Sequence, residues 1–310
     1  MHSINMTAKL VEYVRKEGMR RIMLQADGMK KTLVLGGDRR SDAIADTLAE
    51  LGAVVLRERG EDSEQKIWQS IGWAEAIVLP TPAFTEDGTV LGLPIPLQAR
   101  ALFGVLRSGT IVFGGRITPK IAQEAQEFGV SLMDYMTLEE VCSGNAIPCA
   151  EGAIMLAMQQ LDVTVQGMSA AVLGYGRIGR LLASRLAVWG AEVSVAVRRE
   201  ELLPQLRAAG YTPLLLPRDG GTLAADYDVI FNTVPAHILS EALLASMPKQ
   251  TLLIELASSP GGFSPEMAAK HGLRVLYAPG LPAKYAPRTA GALIAEVLVS
   301  YLVRGEGKPG

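Results

Sequence analysis

The sequence predicts an α/β protein built from two doubly wound, parallel-sheet domains. The chain crosses between them twice, and a C-terminal helix returns to the N-terminal domain. Three observations carry this. Short apolar runs alternate with helix-period segments through most of the 310 residues, the pattern of a parallel sheet. A glycine-rich turn, Gly174-Tyr175-Gly176-Arg177-Ile178-Gly179, stands between one such run and one such helix. A near-repeat of that unit lies 138 residues earlier, where Val34-Leu35-Gly36-Gly37-Asp38-Arg39-Arg40-Ser41 aligns without gaps on Val172 to Gly179.

The glycine-rich turn is the most informative stretch. Ala170 to Leu173 reads as a strand, and Leu181, Leu182, Arg185, Leu186 and Trp189 follow at helical spacing. Gly190-Ala191 closes the helix, and Val193 to Val197 alternates as a second strand. This is G-x-G-x-x-G in a strand–turn–helix–strand setting, the Rossmann-like arrangement that binds a dinucleotide. Gly174 permits the tight turn. Gly176 lets the backbone approach a pyrophosphate held on the helix N-terminus, and Gly179 lets helix and strand pack closely. The end of the second strand selects the cofactor. Val197 stands where NAD sites usually place an acid for the ribose 2′-OH, and Arg198-Arg199 follow. Guanidinium forks suit a 2′-phosphate. The expectation is therefore NADP, with NAD as the alternative if both arginines are only a solvated strand end.

Bulk composition narrows the class. A net charge of −2 argues against a nucleic-acid partner that needs a basic face, and 49% apolar residues can fill a sizeable core. Only Cys142 and Cys149 are present, without a zinc-like spacing, so a disulfide scaffold is excluded and no metal site is expected. With no secretory leader pattern and no apolar run of membrane-spanning length, the expectation is a soluble cytoplasmic protein.

Taken in order, residues 3–23 read as an amphipathic helix carrying Leu10, Val11 and Val14; residues 1–28 are an N-terminal extension if Met29 is the true start. The N-terminal domain, 29–141, continues through Val54-Val55-Leu56, Ala76 to Pro80 and Thr110 to Gly115, with helices near 97–107 and 119–128. Asp38 and Ser41 replace the second and third glycines of the fingerprint in this copy. A carboxylate there repels a pyrophosphate, so a related fold that does not hold the dinucleotide is expected. Residues 81–96 read as a loop at a strand's C-terminal end, where α/β ligand sites lie. Residues 142–163 form a hinge, irregular over 142–149, and an interdomain helix from Ala150 to Leu161. The dinucleotide domain, 164–280, adds strands at Val229 to Asn232, Leu252 to Leu256 and Arg274 to Tyr277. Residues 281–310 hold the second crossing, irregular over Pro279 to Arg288, and a last helix from Ala290 to Tyr301.

Loops after the strands supply the candidate chemistry. Asn232-Thr233-Val234-Pro235 is expected beside the cofactor ribose, with a capped turn as the alternative for Asn232 and Thr233. His237 is placed just inside a helix and reads better as structural than as an acid or base. Ser258 is expected to hold the nicotinamide carboxamide or to be a plain turn residue. Glu151 lies in the first turn of its expected helix, where it either complements the dipole or accepts the substrate's proton. Asp38, Arg39, Arg116, Asn145, Lys284 and Arg288 are the candidate substrate-binding residues, the cations being suited to an anionic substrate. Lys284 is also a catalytic candidate.

A two-domain chain with the dinucleotide unit second resembles the D-2-hydroxyacid dehydrogenases. Their catalytic residues do not carry over. Ala257-Ser258-Ser259 stands where that family has an Arg, and Pro279 is followed by Gly280 rather than His, which leaves keto-acid reduction without its proton donor. The chain more closely resembles the A subunits of dipicolinate synthase across roughly residues 30–300. Carrying this are Gly36-Gly37-Asp38-Arg39, Asn145-Ala146-Ile147-Pro148-Cys149-Ala150-Glu151-Gly152-Ala153, Leu256 to Gly262, and Gly280-Leu281-Pro282-Ala283-Lys284-Tyr285-Ala286-Pro287-Arg288-Thr289-Ala290-Gly291. The family more often has Thr at the place of Cys149 and Gly at that of Ala283. The resemblance implies NADP-dependent oxidation of a dihydrodipicolinate-type intermediate of the lysine pathway to dipicolinate during sporulation. It also implies a partner in a larger assembly, the flavoprotein B subunit of the synthase. A non-catalytic NADP-binding regulatory protein is the alternative.

Overall fold

The computed structural model describes residues 28–59, 63–216 and 226–303. The expected helix at 3–23 lies outside them. The chain divides into two compact units. One runs up to Cys142 and resumes at Ala286, and the other comprises Ser143–Tyr285.

The first unit alternates strictly: β1 (Thr32–Leu35), α1 (Arg39–Glu50), β2 (Val55–Glu58), α2 (Glu64–Trp73), β3 (Ala76–Val78), α3 (Ala99–Val105), β4 (Ile111–Gly114), α4 (Pro119–Glu127) and β5 (Ser131–Asp134). All strand pairs are parallel, in the order β2-β1-β3-β4-β5. Its central strands are buried on both faces. Leu33, Leu35, Ile77 and Val112 meet Ile67, Leu102 and Ile121 on one side, while Val34, Val78 and Phe113 meet Ile44 and Leu48 on the other. This two-sided burial is why the strands read as continuous apolar runs. Thr118 and Pro119 start α4 by side-chain capping and a preset φ.

α5 (Glu139–Gln160) begins in the first unit and continues in the second. Residues 142–149, expected to be irregular, lie within it. Pro148 lacks the N–H that would reach back four residues to Gly144, so one helical bond is missing there. Burial of Ala146, Ala150, Ala153, Ile154 and Ala157 along the helix outweighs that loss and the poor helix propensity of Ser143-Gly144-Asn145. At 22 residues it is also long and apolar enough to cross a membrane, contrary to expectation, but Ala150 to Ala157 pack into the core of the second unit.

The second unit contains β6 (Ser169–Leu173), α6 (Arg177–Val188), β7 (Glu192–Val197), α7 (Leu203–Ala208), β8 (Thr212–Leu215), β9 (Val229–Asn232), α8 (Glu241–Ser246), β10 (Leu252–Glu255), α9 (Pro265–Lys270), β11 (Arg274–Tyr277) and α10 (Leu281–Tyr285). Its strands are parallel in the order β11-β10-β9-β6-β7-β8. Read from β8, this is the doubly wound 3-2-1-4-5-6 order of dinucleotide-binding sheets. Alternate residues of β6, β9 and β10 again fill two separate cores: Val172, Phe231 and Ile254 lie in one, Leu173, Ile230 and Leu253 in the other.

The second crossing is helical too, where an irregular segment was expected. α10 packs on α5 at Gly152, whose missing Cβ would stand 3.2 Å from Leu281 Cβ. α11 (Pro287–Leu302) then returns to the first unit, as the sequence predicts. Gly291 makes its seat on α1 possible, because a Cβ there would meet the Arg40 carbonyl at 2.4 Å.

Candidate dinucleotide site and its degenerate counterpart

The internal repeat holds element by element. α1 and α6 start at Arg39 and Arg177 and end at Glu50 and Val188, the same 138-residue offset at both ends. The two helix N-termini nevertheless differ in what they offer a ligand.

In the second unit, Gly174 takes φ +97°, and a Cβ there would strike Thr233 Oγ1 at 2.5 Å and Val234 Cγ2 at 2.8 Å. A Cβ at Gly179 would lie 2.2 Å from the Gly174 carbonyl, so this glycine lets α6 start hard against the turn. Gly176 is the N-cap of α6. It has no side chain to cap the helix, and a Cβ there would meet nothing within 4 Å. The first turn carries no acid. A helix N-terminus with no side-chain cap and no acid in its first turn suits a pyrophosphate, whose oxygens take first-turn backbone N–H groups. Tyr175 is fixed beside them. Its carbonyl accepts from Arg180 Nε at 3.0 Å, the Arg180 guanidinium lies 5.0 Å from its ring centroid, and its ring meets Tyr211 edge-on. Sequence pattern does not single out Arg180, although it follows the fingerprint directly.

At the end of β7, Val197 is buried and Arg198 and Arg199 are exposed. The loops after β9 and β10 complete this side of the sheet. Thr233 Oγ1 donates to the Leu173 carbonyl at 2.8 Å, tying its loop to the fingerprint strand. Val234 is half-buried, and Pro235 and Ser258 are exposed. Asn232 is not presented to a ligand, contrary to one of the two expectations for it. It is fully buried, its amide donating to Glu255 and its Oδ1 accepting from Val234 N at 3.1 Å, so the capped-turn alternative describes it. His237 lies exposed in a loop before α8 rather than inside a helix.

In the first unit the same cradle is filled. Asp38 stands at the N-cap place of Gly176 and accepts from Arg40 N at 2.9 Å. Burial pushes its carboxyl up, but hydrogen bonds from the Arg40 side chain and backbone and the Arg40 charge more than offset this and hold it below the usual carboxylate value. Over the two glycines sits the chain itself. Gly37 N donates to the Leu91 carbonyl at 2.8 Å, a Cβ on Gly36 would strike that oxygen at 2.3 Å, and a Cβ on Gly92 would strike Gly37 N at 2.2 Å.

Arg39, Arg116 and Arg288 are the remaining candidates of this unit. Arg39 is exposed in the first turn of α1, and Arg288 in the first turn of α11. Arg116 holds a left-handed φ of +58° although it is not glycine. Asp134 stabilises that turn by accepting from Arg116 N at 3.0 Å and Ile117 N at 2.8 Å. Arg40, which sequence pattern does not mark, donates to the Thr81 carbonyl at 2.5 Å and pairs with Asp38 at 2.7 Å. Thr81 Oγ1 is 2.6 Å from the hydroxyl of Tyr135, a buried phenol whose pKa burial pushes above its usual value.

The other candidates belong to the second unit. Asn145 is half-buried on α5, and Lys284 is exposed on α10 with its ammonium 5.1 Å from the Tyr285 ring centroid. Glu151 sits in the middle of α5, not in a first turn, so the helix-dipole account of it fails. Its carboxylate pairs with Arg185 of α6 at 3.3 Å. Among the described residues, no cluster of three or more His, Cys, Asp or Glu suits a metal ion.

Comparison with known proteins agrees with this division. Residues 31–136 match the family model of the N-terminal domain of the dipicolinate synthase A subunit. Residues 148–260 match that of the D-isomer specific 2-hydroxyacid dehydrogenase NAD binding domain. The dipicolinate synthase A subunit of Bacillus subtilis is 33% identical over 239 residues, 76% of this chain and 80% of the relative. The crystal structure of the dipicolinate synthase A subunit from Bacillus halodurans superposes with a TM-score of 0.76 at 31% identity, covering 89% of this chain and 98% of that one. The crystal structure of the Bacillus subtilis protein gives 0.73 at 30% identity, covering 88% and 95%. With an open dinucleotide cradle in its second unit and relatives of this identity and coverage, the chain is a nicotinamide-dependent oxidoreductase and belongs to the family of dipicolinate synthase A subunits.

Proposed function

We propose that this chain is the oxidoreductase subunit of a dipicolinate synthase, using NADP+ to convert a dihydrodipicolinate-type intermediate of the lysine pathway to dipicolinate in the cytoplasm during sporulation, together with a flavoprotein B subunit. The observation that supports this most is the uncapped N-terminus of α6 at Gly176, in a chain whose relatives bear that enzyme's name. The dinucleotide supplies the hydride acceptor. The N–H groups of Arg177, Ile178 and Gly179 bind its pyrophosphate; Arg198 and Arg199 pair with the 2′-phosphate; Thr233, Val234, Pro235 and Ser258 border its nicotinamide half.

A dicarboxylate substrate needs cationic partners, and Arg39, Arg116, Lys284 and Arg288 are exposed to provide them. Asn145, half-buried on α5, is a further candidate for a substrate contact. Asp38 acts through Arg40, which it orients. Aromatisation of the ring drives the reaction, so the residues position substrate more than they supply strong acid catalysis. Glu151 receives the departing proton in this reading once its contact with Arg185 opens. Mixing the purified chain, alone and with the B subunit, with NADP+ and freshly prepared precursor should give reduced cofactor by absorbance. Binding of NADP+ without reduction under either condition would favour a regulatory protein instead.

A further inference from the structure

At the C-terminal ends of β9 and β10, Asn232 and Glu255 are register partners, and both are buried, at 0% and 5% exposure. Every hydrogen bond of the Glu255 carboxylate comes from an N–H. Oε1 accepts from Asn232 Nδ2 at 2.8 Å and Ala257 N at 2.8 Å; Oε2 accepts from Asn232 Nδ2 at 2.9 Å and Gly262 N at 2.8 Å. One carboxylate thus ties down both ends of the loop 257–262. Asn232 ties down the neighbouring loop, donating to the Val234 carbonyl at 3.1 Å and accepting from Val234 N at the same distance. That loop in turn presses Thr233 and Val234 against the Gly174 turn. The fit is tight: a Cβ on Gly262 would stand 2.5 Å from Asn232 Nδ2.

In a 3-2-1-4-5-6 sheet each half carries one mononucleotide, and the strand after the fingerprint helix takes the adenosine ribose. β7 belongs to that half. β9 and β10 belong to the other, so the two clamped loops border the nicotinamide. We infer that the Asn232–Glu255 pair is a positioning device for the nicotinamide half of the cofactor, acting through loops 233–235 and 257–262 without touching the ligand. This rests on the dinucleotide site at α6, but not on the identity of the substrate. A carboxylate suits the task because it is acceptor-only and meets N–H donors alone. An amide of the same shape would turn an N–H₂ toward a backbone N–H, leaving a buried donor unsatisfied.

The test uses the full chain and its Asn232→Ala, Glu255→Gln and Gly262→Ala variants. Affinities are measured for NADP+ and for the fragment 2′,5′-ADP, with NAD+ and ADP alongside, and thermal melting is followed for each protein. The expected result is at least a tenfold loss of dinucleotide affinity or of turnover in Glu255→Gln and Asn232→Ala. Affinity for the adenosine fragment should stay within twofold of the parent. Gly262→Ala, which removes no hydrogen-bonding group and only pushes the Asn232 amide, should shift in the same direction by less. Equal losses for fragment and dinucleotide would mean general loosening of the unit and would overturn the positioning role. So would a Glu255→Gln protein with unchanged affinity and turnover. If the parent binds dinucleotide but oxidises no dihydrodipicolinate, the proposed function fails while the affinity ratio still decides the clamp.

Discussion

At the N-terminus of α1 stands Asp38, and at the equivalent place in α6, 138 residues later, stands Gly176. Both residues have extended backbone, both precede an arginine, and both helices run for 12 residues before a turn at a glycine of positive φ. The scaffold is common and the occupant is not. In the first unit the helix end is satisfied from within: a carboxylate of the chain caps it, and the Leu91 carbonyl takes the N–H of Gly37. In the second unit Gly176 supplies no side-chain cap, and a Cβ there would meet nothing within 4 Å. A helix N-terminus therefore becomes an anion site only when the chain leaves it uncapped and uncovered. The fold alone does not decide this.

The strongest way to break the comparison is to transplant the occupant. Gly176→Asp installs in α6 the cap that α1 already has. It sets a carboxylate against the pyrophosphate. Like charges at roughly 4 Å repel by about 4 kcal/mol at an effective dielectric of about 20, or roughly a thousandfold in affinity. Isothermal titration should show dinucleotide binding lost. The melting temperature should hold or rise, since Asp is at least as good an N-cap as Gly.

Arg198→Ala sharpens the account at the other end of the cofactor. It should weaken NADP+ by about 1.5–3 kcal/mol and NAD+ by much less. Equal losses, or a parent protein that prefers NAD+, would refute the reading of Val197-Arg198-Arg199. Gly179→Ala sets a Cβ 2.2 Å from the Gly174 carbonyl. Overpacking against backbone should destabilise the second unit by about 1–3 kcal/mol, read from denaturant unfolding.

The smallest effect is expected at Asp38. Removing a side-chain cap costs about 1 kcal/mol, so Asp38→Ala should lower the stability of the first unit by that order and leave dinucleotide affinity unchanged. The folded-state pKa of Asp38 is depressed, so its contribution is present above the unfolded carboxylate value and is lost as pH falls through the folded one. A pH series of melts below about pH 4 should therefore fall more steeply in the parent than in Asp38→Ala.

Much of this contrast is visible in the residues themselves. Parallel strands covered on both faces appear as unbroken apolar runs, so β1, β4, β6, β9 and β10 stand out, and the repeat marks the first strand–helix–strand unit of each domain. The substitution of Asp38 for a glycine marks the copy whose helix end is capped from within. The plug at Leu91 and Gly92 leaves no such mark, because it is backbone meeting backbone across more than 50 residues of chain, Gly37 N to Leu91 O, with no side chain to read. Residues 142–149 mislead for the opposite reason. Ser, Gly, Asn and Pro have loop propensities, yet burial of Ala146, Pro148 and Ala150 holds the segment in α5. The Asn232–Glu255 pair depends on the register of β9 against β10, which no local pattern encodes.

The central claim is that one of the two related units holds a dinucleotide and the other cannot. The most direct measurement is the stoichiometry of NADP+ binding to the full chain by isothermal titration, repeated on Gly176→Asp. The account predicts one cofactor per chain in the parent and none in the variant. Two cofactors per chain, or a single one that survives Gly176→Asp and disappears when Gly37 is replaced, would contradict it.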